Sequence, residues 1–242
     1  MRIVCSDLNI FKSSFEAISK IVNEIEMEVD SDGIRVNAID PSHVTFVHLD
    51  INESEFDIFE CEKPQKICFT TDEFLKYLKR MNKDSLLELS IDENYLIIHS
   101  EGATNKTFKQ KLIEIDNSVP DLPKIEFPIS VGIETKLFKE ICKDIDGFSQ
   151  KVQISNEGNC IKFIAYGDYT DAEVEYVYQN DITNTFSSVY DLEKIMVMLK
   201  ADKFAKETVI SWGETMPLLV DMKSGDGNQT LTFMLAPRIE ED

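Results

Sequence analysis

The sequence is poor in most of the features that announce a catalytic or secreted protein. Its 242 residues hold three histidines (His43, His48 and His99), one tryptophan and nine glycines. No histidine is set as H-x-x-x-H or beside a cysteine at ligand spacing, and neither G-x-x-x-x-G-K-[ST] nor G-x-G-x-x-G occurs. A metal centre, a catalytic triad and a phosphate-cradling loop are therefore not indicated, and the sequence reads as a non-enzyme without cofactor or metal. The five cysteines, Cys5, Cys61, Cys68, Cys142 and Cys160, form an odd set with no C-x-x-C pair. That argues against a disulfide framework or a zinc ribbon and predicts buried, reduced thiols. No run of about 18 apolar residues is present, and the start is too polar for a secretory signal, which predicts a soluble intracellular protein with no membrane partner. Positive charge is scarce as well. Against 45 Asp and Glu stand 25 Lys and Arg, a formal net charge of -20. On composition alone so acidic a chain repels nucleic acid, because phosphate binding depends on Lys and Arg displacing counterions.

What the sequence does contain is a core and a repeat. Hydrophobic residues make up 43% of it, 15 of them Phe, enough for a buried interior in one large or two small domains. Apolar residues recur every three or four positions over 9–25 (Phe11, Phe15, Ile18, Val22, Ile25), 71–83 (Phe74, Leu78, Met81), 134–147 (Phe138, Ile141, Ile145) and 189–206 (Leu192, Ile195, Leu199), predicting four one-sided helices. Each is followed by a strand, a polar turn and a second strand, as in "MEVDSDGIRVNAID" after the first and "VQISNEGNCIKFIAYGD" after the third. Phe11-Lys12 is echoed by Phe138-Lys139, and an internal duplication accounts for the pattern economically. Between the halves Pro120, Pro123 and Pro128 stop regular structure. The expectation is an α+β protein of two similar sheet-plus-two-helix domains, 1–116 and 128–242, joined by a connector at 117–127.

Charge is not spread evenly over this frame. The four helical segments carry 13 of the 25 bases and 11 of the 45 acids, leaving 12 bases against 34 acids elsewhere. Lys76, Lys79 and Lys83 fall within roughly 60° of one another on an ideal helix, away from Phe74, Leu78 and Met81. Lys136, Lys139 and Lys143 repeat the spacing, Lys12 sits opposite the apolar face of the first segment, and Lys194, Lys200 and Lys203 lie on the fourth. Lysines are ordinary on solvated helix faces. A base-enriched helix in every unit of an acidic duplicated chain is harder to dismiss.

Three stretches carry a resemblance. "IDPSHVTFVHLDI" at 39–51, "DLPKIEF" at 121–127 and "MLAPRIEED" at 234–242, in this order, resemble the sliding clamps of the proliferating cell nuclear antigen family in their archaeal form. The resemblance implies a DNA clamp fold, with three subunits closing into a ring whose helices line a channel around duplex DNA, held without reading sequence. It implies a processivity factor in replication and repair, tethering DNA polymerase, with clamp loader, flap endonuclease and DNA ligase as further partners. The expected location is cytoplasmic and nucleoid-associated, or nuclear in a eukaryote. Carried over residue by residue, the DNA-facing bases are Lys12, Lys76, Lys79, Lys143 and Lys200, with Lys20, Lys83, Lys139 and Lys194 as neighbours. Ser13, Ser19, Glu140 and Glu193 stand where relatives often have a base, which implies a less positive wall. The implied docking groove for client peptides, which bear a glutamine, an aliphatic residue and two aromatics, maps onto Ile39, Val44, Phe46, Leu122, Pro123 and Phe127. Met234, Pro237 and Ile239 complete it, with His43 and Ala236 as polar and backbone contacts.

A subunit joint follows from alternation and charge. Residues 107–115 put Lys109 and Lys111 on one face of a strand, and 172–179 alternate Glu173 and Glu175 with Val174 and Tyr176. Pairing two such edges, with Phe108 at the family's aromatic contact position, would close a homotrimer and remove exposed strand edges. The alternative from the same residues is an acidic protein-interaction subunit of a mixed or checkpoint-type clamp-like ring.

Overall fold

The computed structural model describes residues 1–115, 119, 121–182 and 184–239, which divide into two compact units. The first comprises Met1–Pro123 with Lys223–Leu231, the second Lys124–Met222 with the segment from Thr232 onward. Pro120 and the start of the expected connector, 117–118, lie outside the described residues.

In the first unit the chain runs β1 (Arg2–Cys5), α1 (Asn9–Ile21), β2 (Glu24–Val29), β3 (Gly33–Ile39), β4 (Thr45–Asn52), a short 3₁₀ turn (Glu53–Glu55), β5 (Ile58–Glu60), β6 (Gln65–Thr70), α2 (Thr71–Lys79), β7 (Leu86–Asp92), β8 (Tyr95–Glu101) and β9 (Lys106–Lys111). Antiparallel pairing orders them β6-β2-β3-β4 and β5-β1-β7-β8-β9. The first predicted helix is shorter than its apolar period. Val22 is extended (φ -141, ψ 135), and Ile25 pairs with Phe69 in the sheet rather than completing a helical face. Two β-branched residues close together suit a pleated strand better than a helix end. Both helices rest on an aromatic cluster: Phe74 lies 4.8 Å from Phe15, 5.1 Å from Phe69 and 5.8 Å from Phe11, all of them fully buried.

The second unit runs β10 (Ile129–Glu134), α3 (Thr135–Ile145), β11 (Lys151–Ala165), β12 (Ala172–Ile182), β13 (Ser187–Asp191), α4 (Leu192–Met198) with a 3₁₀ turn (Leu199–Ala201), β14 (Glu207–Trp212) and β15 (Leu218–Lys223). β16 (Gln229–Leu235) begins in the first unit and ends in the second. Pairing orders are β10-β14-β15 and β12-β11-β13. β11 doubles back at Gly158 (φ 56), its first part pairing with β13 and its second with β12. A straight strand of that length would hold its ends about 45 Å apart. Here the Phe148 carbonyl oxygen lies 2.7 Å from where a Cβ of Gly167 would sit, so the predicted strand-turn-strand is present.

The fourth predicted helix, 189–206, is corrected on both sides. Residues 189–191 end β13, and Asp191 caps α4 by accepting a hydrogen bond from the Lys194 N–H (3.1 Å). Asp at this position satisfies an otherwise orphan donor. At the other end the α-helix stops at Met198 and the 3₁₀ turn at Ala201, which leaves Lys203 beyond the helix. The thiol expectation also needs adjusting. Cys5 and Cys142 are buried, and burial pushes both thiols up, Cys5 to about 12, whereas Cys61, Cys68 and Cys160 are half-buried; all are free.

Candidate nucleic-acid interface and docking surfaces

The helix lysines occupy three distinct environments. Lys76 and Lys79 lie on α2, where Lys76 pairs with Glu73 at 2.9 Å and Lys79 reaches Glu16 of α1 at 3.6 Å; both side chains keep half or more of their surface in solvent. Lys20, Lys143 and Lys200 are exposed as well. Lys139 is not a free cation: it is half-buried and bonded to Asp202 at 3.0 Å. Lys194, in the first turn of α4, is half-buried too. Lys83 lies past the helix altogether, because α2 ends at Lys79 with Arg80 as its cap, donating to the Leu78 and Tyr77 carbonyls. The shared face of Lys76, Lys79 and Lys83 therefore does not form, since the chain turns toward β7 through the Ser85 N–H to Asn82 carbonyl bond (3.2 Å).

Lysine at a helix C-terminus stabilises the helix by about 0.3–1 kcal/mol through the macrodipole, whatever else it does. That accounts for Lys20, Lys79 and Lys143 without any ligand. It does not account for Lys12, in the N-terminal turn of α1 and half-buried, whose ammonium burial pushes below its ordinary pKa while Glu16 partly restores it. A cation kept where desolvation opposes it is the kind of residue function retains. The departures at Ser13 and Ser19 are buried small residues of α1, and Glu140 and Glu193 are exposed acids.

The groove residues are built from two turns and a strand end. In the first unit, the β3–β4 turn is organised by Asp40, which lies inside the 39–51 stretch but has no role among the implied groove residues. Its carboxylate accepts from the Val44 and Thr45 N–H groups (2.7 Å each) and from the Ser42 hydroxyl (2.5 Å), while the His43 N–H donates to the Asp40 carbonyl (2.8 Å). This holds His43 exposed at φ 58, a left-handed conformation uncommon outside glycine, beside half-buried Val44 and Ile39 and buried Phe46. The sequence signal for it is local: Asp three to five residues before N–H groups in a short turn is an Asx-type cap. Asn37 donates to Asp121 (3.4 Å) and shares a hydrogen bond with His48 (2.7 Å), placing 121–123, with half-buried Leu122 and exposed Pro123, against β3. In the second unit Phe127, Ala236 and Pro237 are half-buried, Met234 is buried and Ile239 is 88% exposed. The Arg238 N–H donates to the Val189 carbonyl (2.8 Å) and its guanidinium meets Asp191 (2.5 Å), tying the strand's continuation to β13.

Both strands predicted as edges end their sheets. On β9, Phe108 stacks on Tyr77 (4.8 Å, 14°) and Lys109 reaches Asp92 (3.6 Å), with Lys111 exposed. On β12, Glu173 and Glu175 are exposed, but Lys162 of β11 sits between them at 3.8 and 3.4 Å and also binds Glu157 (2.8 Å). Val174 and Tyr176 face the other side, where the Tyr176 hydroxyl donates to the Gly132 carbonyl (3.3 Å). Among the described residues no group of three or more His, Cys, Asp and Glu could hold a metal ion, and no helix is long and apolar enough to cross a membrane.

Comparison with known proteins settles the family. The model of the proliferating cell nuclear antigen N-terminal domain matches residues 4–119, and that of its C-terminal domain matches residues 121–238. The chain belongs to the proliferating cell nuclear antigen family. Within it, the chain is 40% identical over 237 residues to the DNA polymerase sliding clamp of Methanobrevibacter smithii (98% of this chain, 97% of that protein). It is 39% identical, with the same coverage, to that of Methanothermobacter thermautotrophicus. A chain in the crystal structure of the PCNA2-PCNA3 complex from Sulfolobus tokodaii superposes with a TM-score of 0.90 at 26% identity, covering 99% of this chain and 100% of that one. The expected α+β clamp fold of two similar domains is the family's fold.

Proposed function

We propose that this chain is a subunit of a DNA sliding clamp, a processivity factor that encircles duplex DNA and tethers replicative polymerase and other replication and repair proteins. The observation that carries the reading is the family match, two clamp domains in tandem over almost the whole chain, with relatives named DNA polymerase sliding clamp at 40% and 39% identity. Three copies close into a homotrimer through β9 and β12, and 117–127 connects the domains. Lys12, Lys20, Lys76, Lys79, Lys143 and Lys200 face the duplex with Lys139, Lys194 and Lys83 nearby. Lysine ammoniums touch phosphates as mobile point charges and read no bases, which suits sliding. Polymerase, clamp loader, flap endonuclease and ligase dock short peptides on Ile39, His43, Val44, Phe46, Leu122, Pro123 and Phe127, with Met234, Ala236, Pro237 and Ile239. Burial of two aromatics in such a surface supports affinities on the order of micromolar, multiplied by avidity across a ring.

The test is primer extension on singly primed circular DNA with a clamp loader. The chain lengthens products only when the loader is present, and retention is lost once the DNA is linearised. Products of unchanged length overturn the reading. The alternative, a subunit of a mixed ring, is favoured by the resemblance to a chain crystallised in a complex of two different clamp proteins. Light scattering on the purified chain separates the two: a mass of three chains supports the homotrimer, and a stable monomer the mixed assembly.

A further inference from the structure

The second unit holds a cavity of about 780 Å³, within the range of ligand sites, at the end of α3 where the two arms of β11 meet the start of α4. The clamp reading assigns it no partner. Ile164, Val189 and Leu192 contribute aliphatic lining, while Phe148 (42% exposed) and Tyr166 (60% exposed) present aromatic rings at its surface rather than to the core. Asp146, Asp168 and Glu193 bring three carboxylates against one ammonium, Lys151. The walls are held together by the chain itself. Gly147 turns at φ 97, and Gly167 sits so close to the Phe148 and Thr170 carbonyls (2.7 and 2.6 Å from its Cβ position) that any side chain there would push the two segments apart.

We propose that this cavity docks an arginine-bearing extended segment of a client protein. Charge complementarity selects a cation and rejects nucleic acid, whose phosphates the three carboxylates would repel. The aromatic rings select guanidinium over ammonium, because a planar, weakly hydrated cation stacks on aromatic faces and forks onto carboxylates. The aliphatic lining takes the neighbouring apolar side chain of the same segment.

The experiment uses the full chain and a fluorescein-labelled peptide with two arginines flanking a leucine, read by fluorescence anisotropy at fixed ionic strength. Binding is expected with a Kd on the order of 0.1–1 mM, and the same peptide with neutral citrulline in place of arginine should bind about tenfold more weakly. Neutralising Asp146→Asn with Asp168→Asn should weaken binding about tenfold, and Tyr166→Ala several-fold. The control Glu60→Gln with Glu62→Gln removes the same net charge beside Met1 and Arg2, in the first unit, and should leave binding unchanged. Equal binding of the citrulline peptide, equal weakening in the control, or no binding of the arginine peptide below about 5 mM overturns the proposal. Primer extension can succeed or fail independently of these outcomes, so the clamp reading is tested separately.

Discussion

The two units are built on one plan and filled differently. In the first, α1 and α2 close over a cluster in which Phe74 touches Phe11, Phe15 and Phe69; in the second, among the described residues, α3 makes one aromatic pair, Phe138 with Phe163 at 5.9 Å, and buried Tyr190, Trp212 and Phe233 with aliphatic residues such as Ile145 and Ile195 fill the rest. The surfaces diverge too. The first unit ends in a basic edge strand, β9, and the second in an acidic one, β12. Duplication followed by divergence preserved the layer architecture, which depends only on where apolar residues fall, and left side-chain identity free wherever volume and polarity allowed. The two edges differ in the sign of their charge, a complementarity that the proposed joint between subunits would use.

The edge contrast gives the largest expected effect. Lys109→Glu with Lys111→Glu makes both edges acidic and should convert the oligomer to monomer in light scattering at physiological salt. The reciprocal Glu173→Lys with Glu175→Lys, added to it, should restore assembly. Lys162 complicates the reciprocal arm, because it already lies 3.4 Å from Glu175 inside the chain, and would repel the new lysines. Restoration should therefore improve when Lys162→Glu is included. An oligomer that survives the first double change sinks the joint.

Filling is tested next. Phe74→Ala should cost about 3–5 kcal/mol in chemical denaturation, the usual range for a buried Phe. Phe74→Leu against Phe138→Leu is the sharper comparison: each aromatic pair adds about 0.5–1.5 kcal/mol beyond area, so the destabilisation should be clearly larger in the first unit. Equal values would mean that the aromatic cluster contributes volume only.

The lysines differ between units in the same manner. Lys76→Ala with Lys79→Ala removes two largely solvated cations, whereas Lys139→Ala removes one already bonded to Asp202 in a half-buried pair. Against linear duplex DNA, the slope of log affinity on log salt should fall by about 1 for each phosphate that the first double change leaves without its lysine, and by markedly less in the second case. Equal slopes would put Lys139 on the same footing as the exposed pair.

How much of this is legible in the sequence varies with the range of the interaction that decides it. Helix faces and hairpins are legible because periods of 3.6 and 2 are local, and so is the duplication. Helix ends are not. Val22 and Ile25 keep a helical period yet belong outside the helix, because pairing of Ile25 with Phe69, distant in sequence, outweighs it. Lys83 falls off its helix in the same way, α2 stopping one turn early at Arg80. The ion pair Lys139–Asp202 joins residues separated in sequence by more than any helix or hairpin spacing, and no spacing rule reports it, whereas Lys162 faces Glu175 directly across the β11–β12 hairpin, a pairing that is legible once the hairpin register is known. Asp40 is the opposite case, a short-range cap that a search for helix faces and strand alternation does not register.

The smallest effect isolates Lys12, a lysine that the helix macrodipole does not explain. Lys12 has its pKa lowered by burial, so between that value and the ordinary lysine range the unfolded chain binds more protons than the folded one. Stability must then rise with pH through that window, and below it the charged side chain is a net cost. Lys12→Met keeps the length and helix propensity of the side chain and removes the charge. Because solvent still screens a half-buried ammonium, the variant should be more stable near neutral pH by no more than about 0.5 kcal/mol, an advantage that shrinks as pH approaches the ordinary lysine range, read from denaturation midpoints across pH. The same variant should lose about 1 from the salt slope of DNA binding. The two readouts moving in opposite senses would show a charge held against its own desolvation for the sake of the duplex. A variant that becomes more stable with no change in slope would leave Lys12 as an unfavourable residue without a nucleic-acid role, and would remove the strongest side-chain argument for a DNA-facing helix wall.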